Sequence, residues 1–319
     1  MHALLALSSR HLMHLQPSQS AHQFAHTHHT HLAISTFQKQ LQSQNLKAEN
    51  MDIFFGINII MSIISFSVDS QNPADSWVFQ DSPAALESAL NWLSIQGHFF
   101  YFGKFVQDNI STSMWRDAFY FMDDPKTCAN PFPDILTRPG PEGIHPLLAT
   151  LCSITSSSDT AESNPYIIPL RCITFIVEHQ ATKNPDSVRL SWLVARILPS
   201  YRKLLHSKDE RALLLFALWL AKVRYLEFWW ISGRVRKECA AIVMYLESSR
   251  DVRIRRLLEY PVRALGLESY LKDKERLEND WKEDRETRDW AEEMLYWDEQ
   301  GKGKRWTWCH PEKANGRVS

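Results

Sequence analysis

The chain has 319 residues, 44% of them apolar and 23% charged, which excludes a globally disordered polypeptide. A formal charge of −1 excludes a chain-wide polyanion-binding surface. Ten glycines against 12 tryptophans and 16 phenylalanines disfavour a turn-rich all-β fold and point to an all-α one.

Residues 1–15 predict a helix with Leu4, Leu5, Leu7, His11, Leu12 and Leu15 near one face. The apolar stretch Ala3 to Leu7 is too short for a signal peptide, and a start at such a run reads as a chain cut from something longer. Further helices are expected over 21–43 and 50–66. The apolar run 53–66 contains Gly56, Asn58, Ser62 and Ser65 and falls short of the ~20 apolar residues a bilayer span needs, so it reads as a buried helix. Ser82 with Pro83 at the first helical position opens a fourth helix, to about residue 105. Residues 109–144, rich in proline, read as a long connection with a short helix near 115–121. Helices follow at 145–155, 165–180 and 187–206, with a link at 156–163.

Residues 212–221, ALLLFALWLA, leave no polar face and predict a buried central helix, with the helical pattern running on to Leu246 and broken near Gly233. A short basic segment, 249–258, precedes Pro261 and a weak helix ending at Gly266. The architecture expected is an all-α bundle of roughly eight to ten helices around the central one. Residues 267–300 carry only a sparse apolar row, Leu267, Tyr270, Leu271, Leu277, Trp281, Met294 and Leu295, and read as a solvated or partner-binding helix. Residues 301–319 are polar.

Charge is uneven. Residues 188–263 hold 16 basic and 7 acidic side chains, residues 268–299 hold 6 and 13. The two segments are expected to attract each other or to form solvated faces; nucleic-acid contact through the basic stretch is the sharper alternative. The five cysteines, Cys128, Cys152, Cys172, Cys239 and Cys309, have neither CxxC nor zinc-ligand spacing and fit a reducing compartment, with Cys172 and Cys239 in the core.

Eight of the 13 histidines lie within residues 1–31, and His22, His26 and His29 share a helical face. No acid or thiol lies nearby, so a solvated face is expected and no metal site is assigned. Nucleophile elbow, zinc-protease, P-loop and dinucleotide motifs are absent. Asp123 and Asp124 read as exposed loop acids and Glu178-His179 as a helix end, so no enzyme is expected. Phe216, Trp219, Tyr225, Phe228, Trp229 and Trp230 lie within fifteen residues. Such a cluster lines an apolar ligand site or fills a helical core.

Residues 1–12, MHALLALSSRHL, resemble the start of the regulatory domain of fungal zinc-binuclear-cluster transcription factors, of the sterol uptake control type. The resemblance continues through His31 with Ala33, Ile34, Phe37 and Leu41, and through Glu49–Phe55. Its stronger part is Arg211–Leu215, then Trp229, Trp230 and Gly233, then Tyr260-Pro261 and Leu265-Gly266-Leu267. It covers about residues 1–267 as an ordered set of short motifs.

What the resemblance implies is a helical regulatory domain over 1–267; residues 268–319 read from their charge as a tail offering itself to protein partners. It implies a non-enzymatic transcription regulator of nucleus or cytoplasm that senses an apolar molecule such as a sterol. Phe216, Trp219, Trp229, Trp230 and Gly233 are the candidate ligand-binding residues, and truncating Trp229 or Trp230 in a core would cost ~3–5 kcal/mol. The family's six-cysteine module, which binds two zinc ions and DNA, is absent from this chain, so no cofactor is expected here. DNA binding by that route requires an upstream cluster lost from the gene model. The alternative is a stand-alone helical scaffold that sequesters related factors. The family's Trp-Pro is Tyr-Pro here, and the charged tail has no counterpart.

Overall fold

The computed structural model describes residues 1–42, 48–108, 112–115, 136, 138–179, 193–194, 197–226 and 228–300. The helix expected near 115–121, the start of the 187–206 helix, Asp123, Asp124, Cys128 and the 301–319 end fall largely or wholly outside them. The fold is all-α: no strand occurs among the described residues. No described helix is long and apolar enough to cross a membrane.

In chain order the helices are α1 (His2–Leu15), α2 (Ser20–Gln42), α3 (Ala48–Phe66), α4 (Pro83–Asp108), α5 (Pro146–Leu151), α6 (Ile167–His179) and α7 (Pro199–His206). They continue as α8 (Glu210–Val223), α9 (Trp229–Leu246), α10 (Val252–Leu257), α11 (Glu259–Leu265), α12 (Lys274–Glu283) and α13 (Arg285–Gln300). Two compact units divide them. The first comprises Met1–Ser70, Leu90–Pro133 and Phe228–Arg234; the second comprises Gln71–Ala89, Asp134–Glu227 and Val235–Ser319.

The second unit contains α8, whose residues Ala212–Val223 are all buried, as a helix without a polar face must be. Asp209 caps it: its carboxylate accepts from the Arg211 and Ala212 amides at 3.1 and 3.0 Å and from the Tyr166 hydroxyl at 2.7 Å. α6, α7, α10 and α11 pack against it. The Tyr201 hydroxyl of α7 donates to the Ala212 carbonyl at 2.8 Å, and the Lys222 ammonium lies 4.9 Å from the Tyr260 ring centroid. The helix does not run on into the tryptophans. It ends at Val223, a 3-10 turn covers Arg224–Leu226, and α9 starts at Trp229 with Gly233 in its interior. Cys152, Cys172 and Cys239 are buried, and burial pushes the Cys152 thiol up to about 12.

At the end of α11, Gly266 takes φ of 58°, a left-handed value that favours glycine. The Leu267 amide then bonds back to the Val262 carbonyl at 3.0 Å, closing the last turn. The following acidic stretch is two helices rather than one. Asp284 separates them, and its carboxylate accepts from the Glu286 amide at 3.1 Å and the Thr287 hydroxyl at 2.9 Å. Leu277, Trp281, Trp290, Ala291 and Met294 are buried, with α12 on α10 and α13 on α10 and α11. This segment is therefore packed as well as charged.

The expected attraction between the basic and acidic segments is realised on α10. Arg255 reaches Asp280 at 2.6 and 3.3 Å and the Ser249 carbonyl at 2.6 Å, while its own carbonyl accepts the Trp281 indole N–H at 2.9 Å. Arg256 pairs with Glu283 and Asp284 at 3.4 and 3.3 Å. The Arg255 and Asp280 side chains are only 9% and 13% exposed. Removing one partner strands a desolvated charge, so Arg255→Ala is expected to cost ~3–5 kcal/mol in urea unfolding. A loss below ~1 kcal/mol would place the pair in the class of solvated surface bridges.

His145 caps α5, its Nδ1 accepting from the Leu147 amide at 3.3 Å, with its ring 6.0 Å from Trp290. Burial lowers its pKa from 6.5 to about 4, so the folded state holds the neutral ring. The unfolded chain takes up the proton first as pH falls. This contribution is therefore complete above pH 6.5 and is lost progressively between 6.5 and about 4, roughly 3 kcal/mol in all. His145→Asn supplies a capping oxygen in place of Nδ1 and should flatten the fall in urea midpoint between about pH 6.5 and 5, where few carboxylates titrate. An unchanged slope would remove His145 as its cause.

Candidate functional site

Phe216 and Trp219 lie on α8 in the second unit, their rings 5.2 Å apart, with Trp77 6.5 Å from Phe216. Both are fully buried and serve as packing for that unit. Trp229, Trp230 and Gly233 lie on the opening turns of α9 in the first unit. The five residues thus form two separate groups.

The first unit supplies neighbours for the second group. α3 ends at Phe66, and its last carbonyls lack intrahelical partners. Arg234, one turn into α9, fills them: Nε donates to the Phe66 carbonyl at 2.7 Å and a terminal nitrogen donates to the Ser65 carbonyl at 3.0 Å. A cation at a helix C-terminus also complements its dipole. The same guanidinium lies 4.5 Å from the Trp92 ring centroid. Phe66 meets Trp92 and Trp230 edge-on at 5.1 and 5.6 Å, and Phe228 stacks on Trp230 at 5.8 Å. Phe228 is 45% exposed, so this aromatic cluster reaches the surface. On the other side of the helix start, His11 and His14 of α1 lie 4.9 and 5.6 Å from Trp229.

Polar residues precede the cluster along α3. Asn58, Ser62 and Phe66 recur at four-residue intervals and share a face of α3. Gln96 of α4, one turn after Trp92, donates to the Ser62 carbonyl at 2.9 Å and to the Ser65 hydroxyl at 3.2 Å. Asn58 and Ser62 are buried, and neither Asn58 Oδ1 nor Ser62 Oγ has a hydrogen-bond partner in the structure. A buried orphan polar atom costs free energy until something bonds it. Aromatic faces beside such atoms can hold an apolar molecule that carries one hydroxyl. Among the described residues no group of three or more His, Cys, Asp or Glu side chains gathers to hold a metal.

Sequence reasoning singled out Trp229, Trp230 and Gly233 but missed Phe66, Trp92, Gln96 and Arg234. The one available signal was Asn58 and Ser62, polar residues spaced by one turn inside an apolar run. Nothing in the sequence tied them to positions some 170 residues away. Comparison with protein-family models, with curated proteins and with solved structures finds no match to this chain.

Trp229 and Trp230 are half-buried rather than sealed in a core. Their truncation should therefore cost about 1–3 kcal/mol, less than full core burial implies. Arg234→Ala removes two charge-assisted bonds and uncovers two carbonyls, and should cost about 3 kcal/mol in urea unfolding. A ranking with Trp230→Ala well above Arg234→Ala would mean that the rings, not the guanidinium, hold α9 to α3.

Proposed function

We propose that this chain is a non-enzymatic regulatory module of the kind that follows the zinc cluster in fungal transcription factors, and that its first unit binds an apolar, hydroxyl-bearing molecule such as a sterol. The observation that carries the ligand reading is the pair of buried orphan atoms, Asn58 Oδ1 and Ser62 Oγ, on the α3 face that also bears Phe66. The transcriptional part rests on the ordered resemblance over residues 1–267.

In this reading Phe66, Trp92 and Trp230 take the flat apolar body of the ligand, and Asn58 or Ser62 takes its hydroxyl. Occupancy ties α3, α4 and the start of α9 together, so the ligand biases the equilibrium toward the closed first unit. DNA contact belongs to a zinc-cluster module and not to this chain, and the work is done in the nucleus or cytoplasm. The acidic stretch after Leu267 offers charged side chains to protein partners.

The test is thermal unfolding of the full chain with a sterol delivered from cyclodextrin. Binding at about a hundred times Kd stabilises the native state by ~2.7 kcal/mol, which raises Tm by roughly 5 °C. Asn58→Leu replaces an orphan amide by a side chain of similar volume. It should stabilise the ligand-free protein by about 1–3 kcal/mol and abolish the sterol-dependent rise. No shift of the unsubstituted protein at saturating sterol overturns the sensor reading.

A further inference from the structure

Serines inside the first unit's helices bond backward to the chain. The Ser9 hydroxyl donates to the Leu5 carbonyl at 2.8 Å, Ser35 to Leu32 at 3.2 Å and Ser65 to Ser62 at 2.9 Å. Ser62 departs from this habit. It is only 7% exposed, yet its hydroxyl oxygen has no partner in the structure. One turn earlier Asn58 is 4% exposed, with Oδ1 equally unmet. Two residues four apart on one helix face are separated by about 6 Å along the axis, so one small polar group can serve both.

The two side chains ask for different things. An amide oxygen only accepts, whereas a serine hydroxyl both donates and accepts. A single alcohol satisfies the pair: its proton goes to Asn58 Oδ1, and its oxygen accepts the Ser62 proton. A ketone, an ether or an ester accepts from Ser62 but leaves Asn58 Oδ1 orphaned. A carboxylate sets negative charge against that amide oxygen. Residues 53–66 carry no charged side chain to offset it, and Arg234 is committed to the Ser65 and Phe66 carbonyls. Gln96 holds the backbone beneath the pair by donating to the Ser62 carbonyl at 2.9 Å and the Ser65 hydroxyl at 3.2 Å. The Ser62 hydroxyl is therefore presented from a fixed turn of helix, as discrimination by hydrogen bonding requires.

We infer that Asn58 and Ser62 together read the head group of the ligand, as acceptor and donor to one free hydroxyl, so that the first unit takes a sterol alcohol and rejects its ketone, ether and ester. This inference rests on the ligand reading above and adds a rule of selection to it. The aromatic rings of Phe66, Trp92 and Trp230 accept any flat apolar body. The choice between its oxidised, acylated and free forms falls to two atoms on α3.

The experiment is titration of the full chain with cholesterol, its ketone cholestenone, its methyl ether and its acetate ester, each delivered from cyclodextrin, with Kd read from the rise in Tm. The alcohol should bind roughly 10- to 100-fold more tightly than the ketone or the ether, because each of those leaves one buried acceptor unmet. Ser62→Ala suits a helix and should retain the helical circular dichroism. It should weaken the alcohol ~10-fold, with the Asn58 contact kept, and bring the ketone, now without any donor, below detection. Affinities of alcohol, ketone and ether within about threefold of one another overturn the inference and leave the ligand reading standing. So does a Ser62→Ala variant that binds alcohol and ketone as the unsubstituted chain does. Absence of any shift with all four compounds overturns the ligand reading itself, and this inference with it.

Discussion

Twelve consecutive buried positions, Ala212–Val223, set the terms for the second unit. A helix with no polar face cannot stop at one layer of cover, because any side left to water exposes leucine or tryptophan. α6, α7, α10 and α11 pack against it, and three tyrosines add polar contacts. Tyr201 hands its hydroxyl to the Ala212 carbonyl, and Tyr166 steadies the capping Asp209. Lys222, the one cation in the run, rests against the Tyr260 ring. The Ala212 carbonyl, the capping Asp209 and Lys222 are thus each met by a tyrosine from elsewhere in the unit.

The basic excess of residues 188–263 then finds its counterpart. α10 is half arginine, and its side chains reach outward to the helices that follow. Arg255 bridges the Ser249 carbonyl and Asp280, and Arg256 spans the junction between α12 and α13. The acidic segment is anchored both by charge and by Trp281, whose indole bonds the Arg255 carbonyl. Buried pairs of this kind add little net stability compared with apolar packing, but they penalise every register except one. That is the use to which a sparse apolar row, too weak to dock alone, can put its charges.

Local rules were legible and long-range ones were not. Ser82 with Pro83 announced a helix start, and its side chain accepts a backbone amide as expected; Asp209 does the same at the start of α8. The burial of 212–221 followed from its lack of a polar face. The break after Val223 did not, because Arg224–Leu226 continues the apolar periodicity and only the 3-10 turn ends it. Periodicity located the leucine face of α1, and the structure leaves most of that face exposed. Alanine and serine at 3, 6 and 9 permit the closer helix approach, and burial followed the fit rather than hydropathy. The site around Trp230 depended on Phe66, Trp92 and Arg234, which no local pattern links to it.

The two units divide the exposed apolar side chains unequally. Among the described residues, every exposed large apolar side chain except Phe79 and Tyr296 belongs to the first unit. That unit also holds the orphan atoms of Asn58 and Ser62. Apolar surface left in water and polar atoms left in a core are both costs a sequence sheds easily by substitution: Leu4 to a polar residue, Asn58 to leucine. Residues kept at a cost to folding are where selection for something other than stability is expected to act. The second unit, with its leucine-rich helix sheathed and its acidic segment pinned, is built to persist. The first keeps exposed leucines on α1 and the unbonded Asn58 and Ser62 atoms on α3, which is where the proposed ligand reading has its footing.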